Sequence, residues 1–562
     1  MEKRILILML LFGSIVCKAQ YNDLWIPDTI SGTNFNLNLK DTFAQIVSTG
    51  NQTITAGVNG KFWGPTLIMN KGEVVHMNVN NNLNDSTTLH WHGMHLPAVM
   101  DGGPHQVIPP GTNWQPYWEV KNNAATYWYH PHLHMMTNAQ MTAGLGGFII
   151  VRDSQEASLA LPRSYGVDDF PLAITDRRFT TGNQFVATNY TDSLMVNGVL
   201  RPQLTVPAQV IRFRMLNTSS QHSYNLGFSD NRSFSVITSD GGILDAPVAV
   251  TRFILSPGER VEVLVDFGSQ QNQTVNLMAY NATLPTDIFG ATHTGGGPTD
   301  ALLGENFNVL HFNISSPLAG AITSIPSSLI ANVLIDQASA NSTHTIRMID
   351  GFLNGFPNTS FDGTQFSMTN INHTIPMDNI EIWQIVNNSS IAHVFHIHDV
   401  QFNIISRTGS TSTLQPYDMG WKDNVLVRAG ETLRFIAGFE DYADAIHPFM
   451  YHCHMAIHED EGMMGQFVVT NTTGITSNDK NENQFTVYPN PTSDKLFVKF
   501  NDANQSVYYI RIMDASGRTM SMLPRPELQN GIDICHLSKG MYTLQLTDDK
   551  SKAVTSKTFV VQ

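Results

Sequence analysis

Ten of the chain's 21 histidines fall in four short segments. These are His90-Trp91-His92-Gly93, Tyr129-His130-Pro131-His132, His393-Val394-Phe395-His396-Ile397-His398, and His452-Cys453-His454 followed by His458 and Met463. One His-x-His is ordinarily a core or surface pair; four in one chain are a ligand pattern. Side chains alternate faces along a strand with period 2, so His-x-His sets two imidazoles on one side. Four pairs offer eight imidazoles, enough to line one cavity if two β-rich domains bring them together.

The same parity sorts the remaining donors. Cys453 lies between His452 and His454 and points to the opposite face. His393 is an odd number of residues from His396 and His398, so it turns away from them too. His458 follows Cys453 by five residues and Met463 by ten, just past the expected strand end. Two histidines, a cysteine and a weak axial methionine form the donor set of a blue-copper electron-transfer site. Eight neutral imidazoles suit a cluster of three coppers. The spacing predicts two metal sites back to back, joined through the covalent neighbours His452-Cys453-His454.

Such donors need rigid strands to hold them. From Tyr21 to about Thr470, short runs rich in Val, Ile, Thr, Phe and Tyr alternate with Asn/Gly/Pro/Ser turns, as in Leu67–Asn80, Ala208–Leu216 and Arg260–Asp266. No long amphipathic helix stands out. The chain reads as all-β, built of sandwiches or barrels. Its 562 residues allow three or four domains, and 42% hydrophobic with 14% charged residues is an ordinary globular balance. Net charge is −15 with no Lys/Arg cluster, which argues against nucleic acid or an anionic membrane as partner.

The four motifs, in this order and far apart, resemble the copper motifs of the multicopper oxidases, a likeness that also takes in Met195-Val196-Asn197-Gly198 and Ser239-Asp240-Gly241-Gly242. The resemblance covers about 450 residues of the chain. It implies three cupredoxin-like Greek-key β-sandwiches, expected at 20–155, 156–325 and 326–470, and four copper ions. The type 1 copper would take His393, Cys453, His458 and axial Met463. The type 2 copper would take His90 and His396, and the type 3 pair His92, His130, His132, His398, His452 and His454. Val394 stands where the family usually has proline, a local backbone difference at a position that holds no ligand. O2 would be the electron acceptor, and Asp101 and Glu459 would relay the protons that its reduction to water consumes. Hydrogen bonding to ligand imidazoles is the plainer role for both carboxylates. His134 is read as a second-layer or surface group, and His95 and His105, in the loop after the first motif, as structural or substrate-side.

The electron donor is less legible. The resemblance implies phenols, aromatic amines, bilirubin, Cu(I), Fe(II) or ascorbate. The approach Asn387–His393 holds neither Met nor carboxylate, and the 24 methionines are scattered, which lowers a Cu(I) reading. A laccase-like enzyme for phenols is expected, with oxidation of Cu(I) or Fe(II) as alternative. A copper nitrite reductase would lack the histidines flanking Cys453, and a non-catalytic copper-binding protein would not require both sites.

Residues 1–19 read as a secretory signal: Lys3 and Arg4 precede the apolar run Ile5–Val16, too short to span a membrane, and no other segment is a candidate span. Cys17 lacks the preceding Gly or Ala of a lipid-anchor site. The mature chain keeps only Cys453 and Cys535, so disulfides do not hold it together. After a linker at 471–484, residues 485–562 resemble the C-terminal sorting domain read by the type IX secretion machinery, a small β-sandwich; a carbohydrate-binding or Ig-like module is the alternative. The expected address is secreted or cell surface, through the periplasm.

Overall fold

The computed structural model describes residues 21–188, 190–292, 301–353, 356–409, 412–471, 485–500, 509–514, 519–524, 531–547 and 553–562. The leader expected at 1–19 and residues 472–484 of the linker lie outside the described residues. The chain divides into two compact units, Met1–Thr470 and Asn471–Gln562. Among the described residues no helix is long and apolar enough to cross a membrane.

Three all-β sandwiches make up the first unit, and each grows from alternating strands. In Asn34–Ala44, Phe35, Leu37 and Leu39 are buried while Asn34, Asn36 and Asn38 face solvent, the signature of a sheet with one wet face. That strand lies in a sheet with Thr53–Val58, Val74–Asn82, Asn113–Trp114 and Tyr117–Glu119. The facing sheet runs Thr29–Ser31, Thr66–Asn70, Gly147–Arg152, β2 (Ala125–His130), β1 (His90–His92). Trp91, Trp118, Tyr127 and Tyr129 fill the space between.

The second sandwich encloses the largest core, from Phe170 to Ile314, and carries no histidine motif. Its edge takes in Asn22–Asp23, which pairs in parallel with Pro202–Pro207, so the described chain starts in the second sandwich before it builds the first. In the third, β3 (His393–Ile397), β4 (Asp444–Cys453) and β5 (Met464–Thr470) lie in one sheet with His373–Pro376 and Asn424–Val427. Short helices close the ligand loops: α1 (Thr137–Ala143) and α2 (Ala456–Asp460).

The second unit is a β-sandwich of three and four strands over its own core, with Phe485, Ile510, Leu544 and Phe559 buried. Among the described residues both cysteines are free, Cys453 buried and Cys535 exposed.

Candidate metal centre

Register sets the chamber. In the antiparallel pair β1–β2, His90 lies opposite His130; in β3–β4, His396 lies opposite His452 and Phe395 opposite Cys453. The predicted alternation therefore holds: His396 and His452 share a face, and Cys453 turns to the other. His454 prolongs the ladder by donating its N–H to the Val394 carbonyl at 2.7 Å. All eight imidazoles of the His-x-His pairs are buried.

Each ring is turned by what its outer nitrogen meets. His90 Nδ1 donates to the Asp101 carbonyl (2.9 Å), His396 Nδ1 to the Asp423 carbonyl (2.8 Å), His130 Nδ1 to the Pro131 carbonyl (2.9 Å) and His452 Nδ1 to the Cys453 carbonyl (3.1 Å). His398 Nδ1 donates to Asp101 Oδ2 (2.8 Å). A carbonyl only accepts, so the proton sits on Nδ1 and the Nε2 lone pair points inward. His92 is reversed: its Nε2 lies 3.3 Å from Asp423 Oδ1, and Nδ1 faces the chamber.

The inward atoms converge in sets. His132, His398 and His452 form one, and His90, His92 and His130 another. His132 Nε2 stands 3.1 Å from His452 Nε2, and His92 Nδ1 stands 3.3 Å from His130 Nε2 and 3.2 Å from His454 Nε2. Nε2 of His90, His396 and His398 is buried with no partner. Burial first, then mutual repulsion, holds His92, His132, His396 and His452 well below 6.5, so they are neutral. Buried lone pairs aimed at one another are costly unless a cation lies between them. The chamber fits copper ions on that ground.

Asp423 is the keystone, and the sequence reading missed it. Its carboxylate takes both arms of Arg260 (2.6 Å each) and Gln401 Nε2 (2.9 Å) while its oxygen and carbonyl orient His92 and His396. Arg260 comes from the second sandwich, so that domain braces a chamber to which it lends no ligand. Two glycines permit the approach. Gly93 (φ +79°) sits where a Cβ would collide with Asp423 and Arg260, and Gly258 (φ +79°) where one would stand 2.8 Å from the His454 ring. The only sequence signal was that Arg260 follows Ser256-Pro257-Gly258.

The second site lies behind the chamber. Cys453 Sγ is 3.6 Å from Nδ1 of both His393 and His458. A trigonal first-row ion, at about 2.0 Å to nitrogen and about 2.3 Å to sulfur, would separate N from S by about 3.7 Å. The observed spacing fits one ion. His393 Nε2 is bonded to Ser389 Oγ (2.9 Å) and His458 Nε2 faces Gln221 of the second sandwich (3.2 Å), leaving both Nδ1 atoms for the centre. Met463 is buried in the same core, and its carbonyl accepts from the Cys453 N–H at 3.0 Å. Burial pushes the free Cys453 thiol up to about 12; a bound cation reverses that preference.

Both predicted carboxylates touch imidazoles. Besides His398, Asp101 reaches His90 Nδ1 with Oδ1 at 3.3 Å. Glu459 spans His132 Nδ1 (3.2 Å) and His452 Nδ1 (3.3 Å) and accepts from Thr137 Oγ1 (2.6 Å). Burial, then Asp460, pushes the Glu459 carboxyl well above the usual range. Asp460 in turn accepts from the Thr137 and Asn138 N–H groups of α1 (2.9 Å each). The other histidines stand outside: His134 against Phe366, His105 bonded to Gln466, and His95 between Asp399 and Asp441.

Three β-sandwiches, a buried imidazole chamber and a buried His2Cys site define a copper-oxidase architecture. Three models described as multicopper oxidase match residues 42–156, 172–294 and 337–473, and one described as secretion system C-terminal sorting domain matches 486–562. Multicopper oxidase mco of Staphylococcus haemolyticus is 31% identical over 74% of this chain and 84% of its own length. Cell division protein FtsP of Xenorhabdus nematophila is 31% identical over the same shares. Among solved structures, a laccase-like multicopper oxidase CueO of Ochrobactrum sp. superposes with a TM-score of 0.70 at 30% identity, covering 80% of this chain and all of that one. The chain belongs to the multicopper oxidase family, and its tail is a C-terminal sorting domain.

Proposed function

We propose that this protein is an exported oxidase that takes single electrons from a small phenol or aromatic amine and delivers them to O2. His393, Cys453, His458 and axial Met463 would hold a type 1 copper, His90 and His396 a type 2 copper, and His92, His130, His132, His398, His452 and His454 a type 3 pair. These ions supply the electron storage and the O2 chemistry that no side chain here can. The observation that carries the reading is the set of facing, neutral imidazole nitrogens, complete on both sides of Cys453. One relative carries the name of a cell division protein, so the family leaves the role open; the uninterrupted donor set favours catalysis.

The chain's own groups do the rest. Peptide bonds from Cys453 to His452 and His454 give electrons a covalent path from one centre to the other. Asp101 and Glu459 fix ring orientation, and Glu459, its carboxyl pushed up by burial and Asp460, can give a proton to the chamber and regain one by way of the Thr137 hydroxyl that donates to it. Phe289 lies edge-on to His458, ring centroids 5.9 Å apart, an apolar wall suited to an aromatic donor. The Ochrobactrum relative is described as acting on lignin model compounds. One contact favours Cu(I) or Fe(II) as the alternative donor: exposed Asp350 accepts the Ser390 N–H at 2.7 Å, bringing a carboxylate to the approach to His393. The sorting tail supports passage through the type IX machinery to the medium or cell surface.

The test is copper loading of the mature chain followed by its visible spectrum, copper content and O2 uptake. A blue thiolate band with phenol-driven uptake supports the reading. Uptake driven by Cu(I) or Fe(II) alone favours the alternative donor, and copper binding without any uptake defeats the catalytic reading.

A further inference from the structure

The outer face of the first sandwich breaks a rule of strand composition. Asparagine is among the residues that strands avoid, yet Asn34, Asn36 and Asn38 line the solvent side of Asn34–Ala44, and Asn78 and Asn80 continue the row on Val74–Asn82. The parallel register sets Asn36 beside Asn78 and Asn38 beside Asn80, and Asn113 follows beside Asn80. Thr or Lys would make an ordinary wet face, so amides here call for a reason beyond solubility.

The side chains are ordered as a grid. Asn78 Nδ2 donates to Asn36 Oδ1 (3.1 Å), while Asn113 Nδ2 and Gln115 Nε2 both donate to Asn78 Oδ1 (3.3 Å each). An amide has two donors and two acceptor sites. Asn78 uses both acceptor sites and one donor in the grid, while Asn36, Asn113 and Gln115 each use one group there. Further N–H and oxygen groups therefore remain for a ligand at strand spacing, about 4.8 Å across and about 6.6 Å along. At one end the Tyr117 ring, 54% exposed, stacks on His76 with centroids 5.8 Å apart. Amides and tyrosine together line a shallow depression of about 590 Å³. No carboxylate, lysine or arginine lines it, on a chain whose net charge is −15.

We propose that this face binds an uncharged, extended polysaccharide. Ring hydroxyls both donate and accept and match amides that do the same, while the apolar face of a sugar ring lies on Tyr117. The absence of charge selects against anionic glycans and nucleic acid, and a shallow depression on an open sheet face suits a ribbon-like chain better than a globular partner. The consequence is an oxidase held on an insoluble glycan while its copper centres stay free.

Depletion of the full, copper-loaded chain from solution by swollen cellulose, chitin and mannan tests this, with alginate as anionic control. Loss of protein from the supernatant onto at least one neutral glycan is expected, undiminished in 1 M salt. Asn78→Ala combined with Tyr117→Ala should weaken binding at least tenfold and leave phenol oxidation and melting temperature unchanged. Failure to bind any neutral glycan overturns the proposal. So does equal binding by the double variant, which would place the site in the tail or elsewhere. Concentration-dependent dimerisation that the double variant abolishes would also overturn it, because the occupant would then be a second copy.

Discussion

The chamber and the Cys453 centre are one peptide bond apart in the chain, yet they are built on opposite plans. The chamber takes its imidazoles from two sandwiches and sets several of them with partners far away in sequence: Asp101 orients His398, Asp423 orients His92, and Arg260 holds Asp423. The Cys453 centre draws all its donors from the third sandwich, on β3, β4 and the α2 loop. One site is a property of domain assembly; the other belongs to a single sheet and its closing turn. Each should therefore fail without the other.

The largest effect falls on the local site. Cys453→Ser should remove the blue band and reduce phenol oxidation to background while the chamber keeps its copper, measured by visible spectroscopy and metal analysis. Loss of all copper in that variant would break the comparison. The reciprocal change is Asp423→Asn. It takes from the buried Arg260 guanidinium its nearest countercharge, leaving only Asp240 at 3.7 Å, at a cost of up to about 3–5 kcal/mol, and it loosens the side-chain hold on His92. Denaturant unfolding should report that loss, and metal analysis should show a depleted chamber beneath a surviving blue band.

The same division explains what the sequence made legible. Strand parity works wherever donors share one chain segment, which is why His396 and His452 could be set against Cys453 before any register was known. It predicts nothing about Asp423 or Arg260, 163 residues apart and joined only when the second and third sandwiches meet. Gln221 and Ser389, which cap His458 and His393, are ordinary polar residues in turns, with no spacing to mark them. The all-β class was readable from the alternation and the number of sandwiches only from the resemblance, whereas pairing of Asn22–Asp23 with the second sandwich was not readable at all, since a two-residue strand carries no period.

A smaller effect tests whether Glu459 does more than hold two rings. Glu459→Gln keeps the shape and the Thr137 contact but carries no transferable proton. Phenol oxidation should drop by about 10²-fold, with copper content, blue band and melting temperature unchanged. Retained activity would leave Glu459 an orienting group only; lost copper would assign its role to chamber assembly.

The smallest expected effect lies at the chamber's rim, where His95 ties the first sandwich to the third. Its Nδ1 lies 2.8 Å from Asp399 Oδ1 and its Nε2 3.1 Å from Asp441 Oδ2, with Lys121 on Asp441 and the Tyr442 ring alongside. Burial opposes the charge, but the two carboxylates outweigh it and hold the imidazole up at about 9. A histidine raised on folding stabilises fully below its unfolded value near 6.5, and that stability is lost as pH climbs through the folded value. Unfolding of the copper-loaded protein should thus lose about 1–3 kcal/mol between pH 6.5 and 9 through this group. His95→Gln should flatten that slope and cost stability chiefly at the acid end, while the Cys453 band stays put at every pH. A band that titrated with His95 would mean that the two sites are coupled through the domain joint, and the local plan of the Cys453 centre would have to be abandoned.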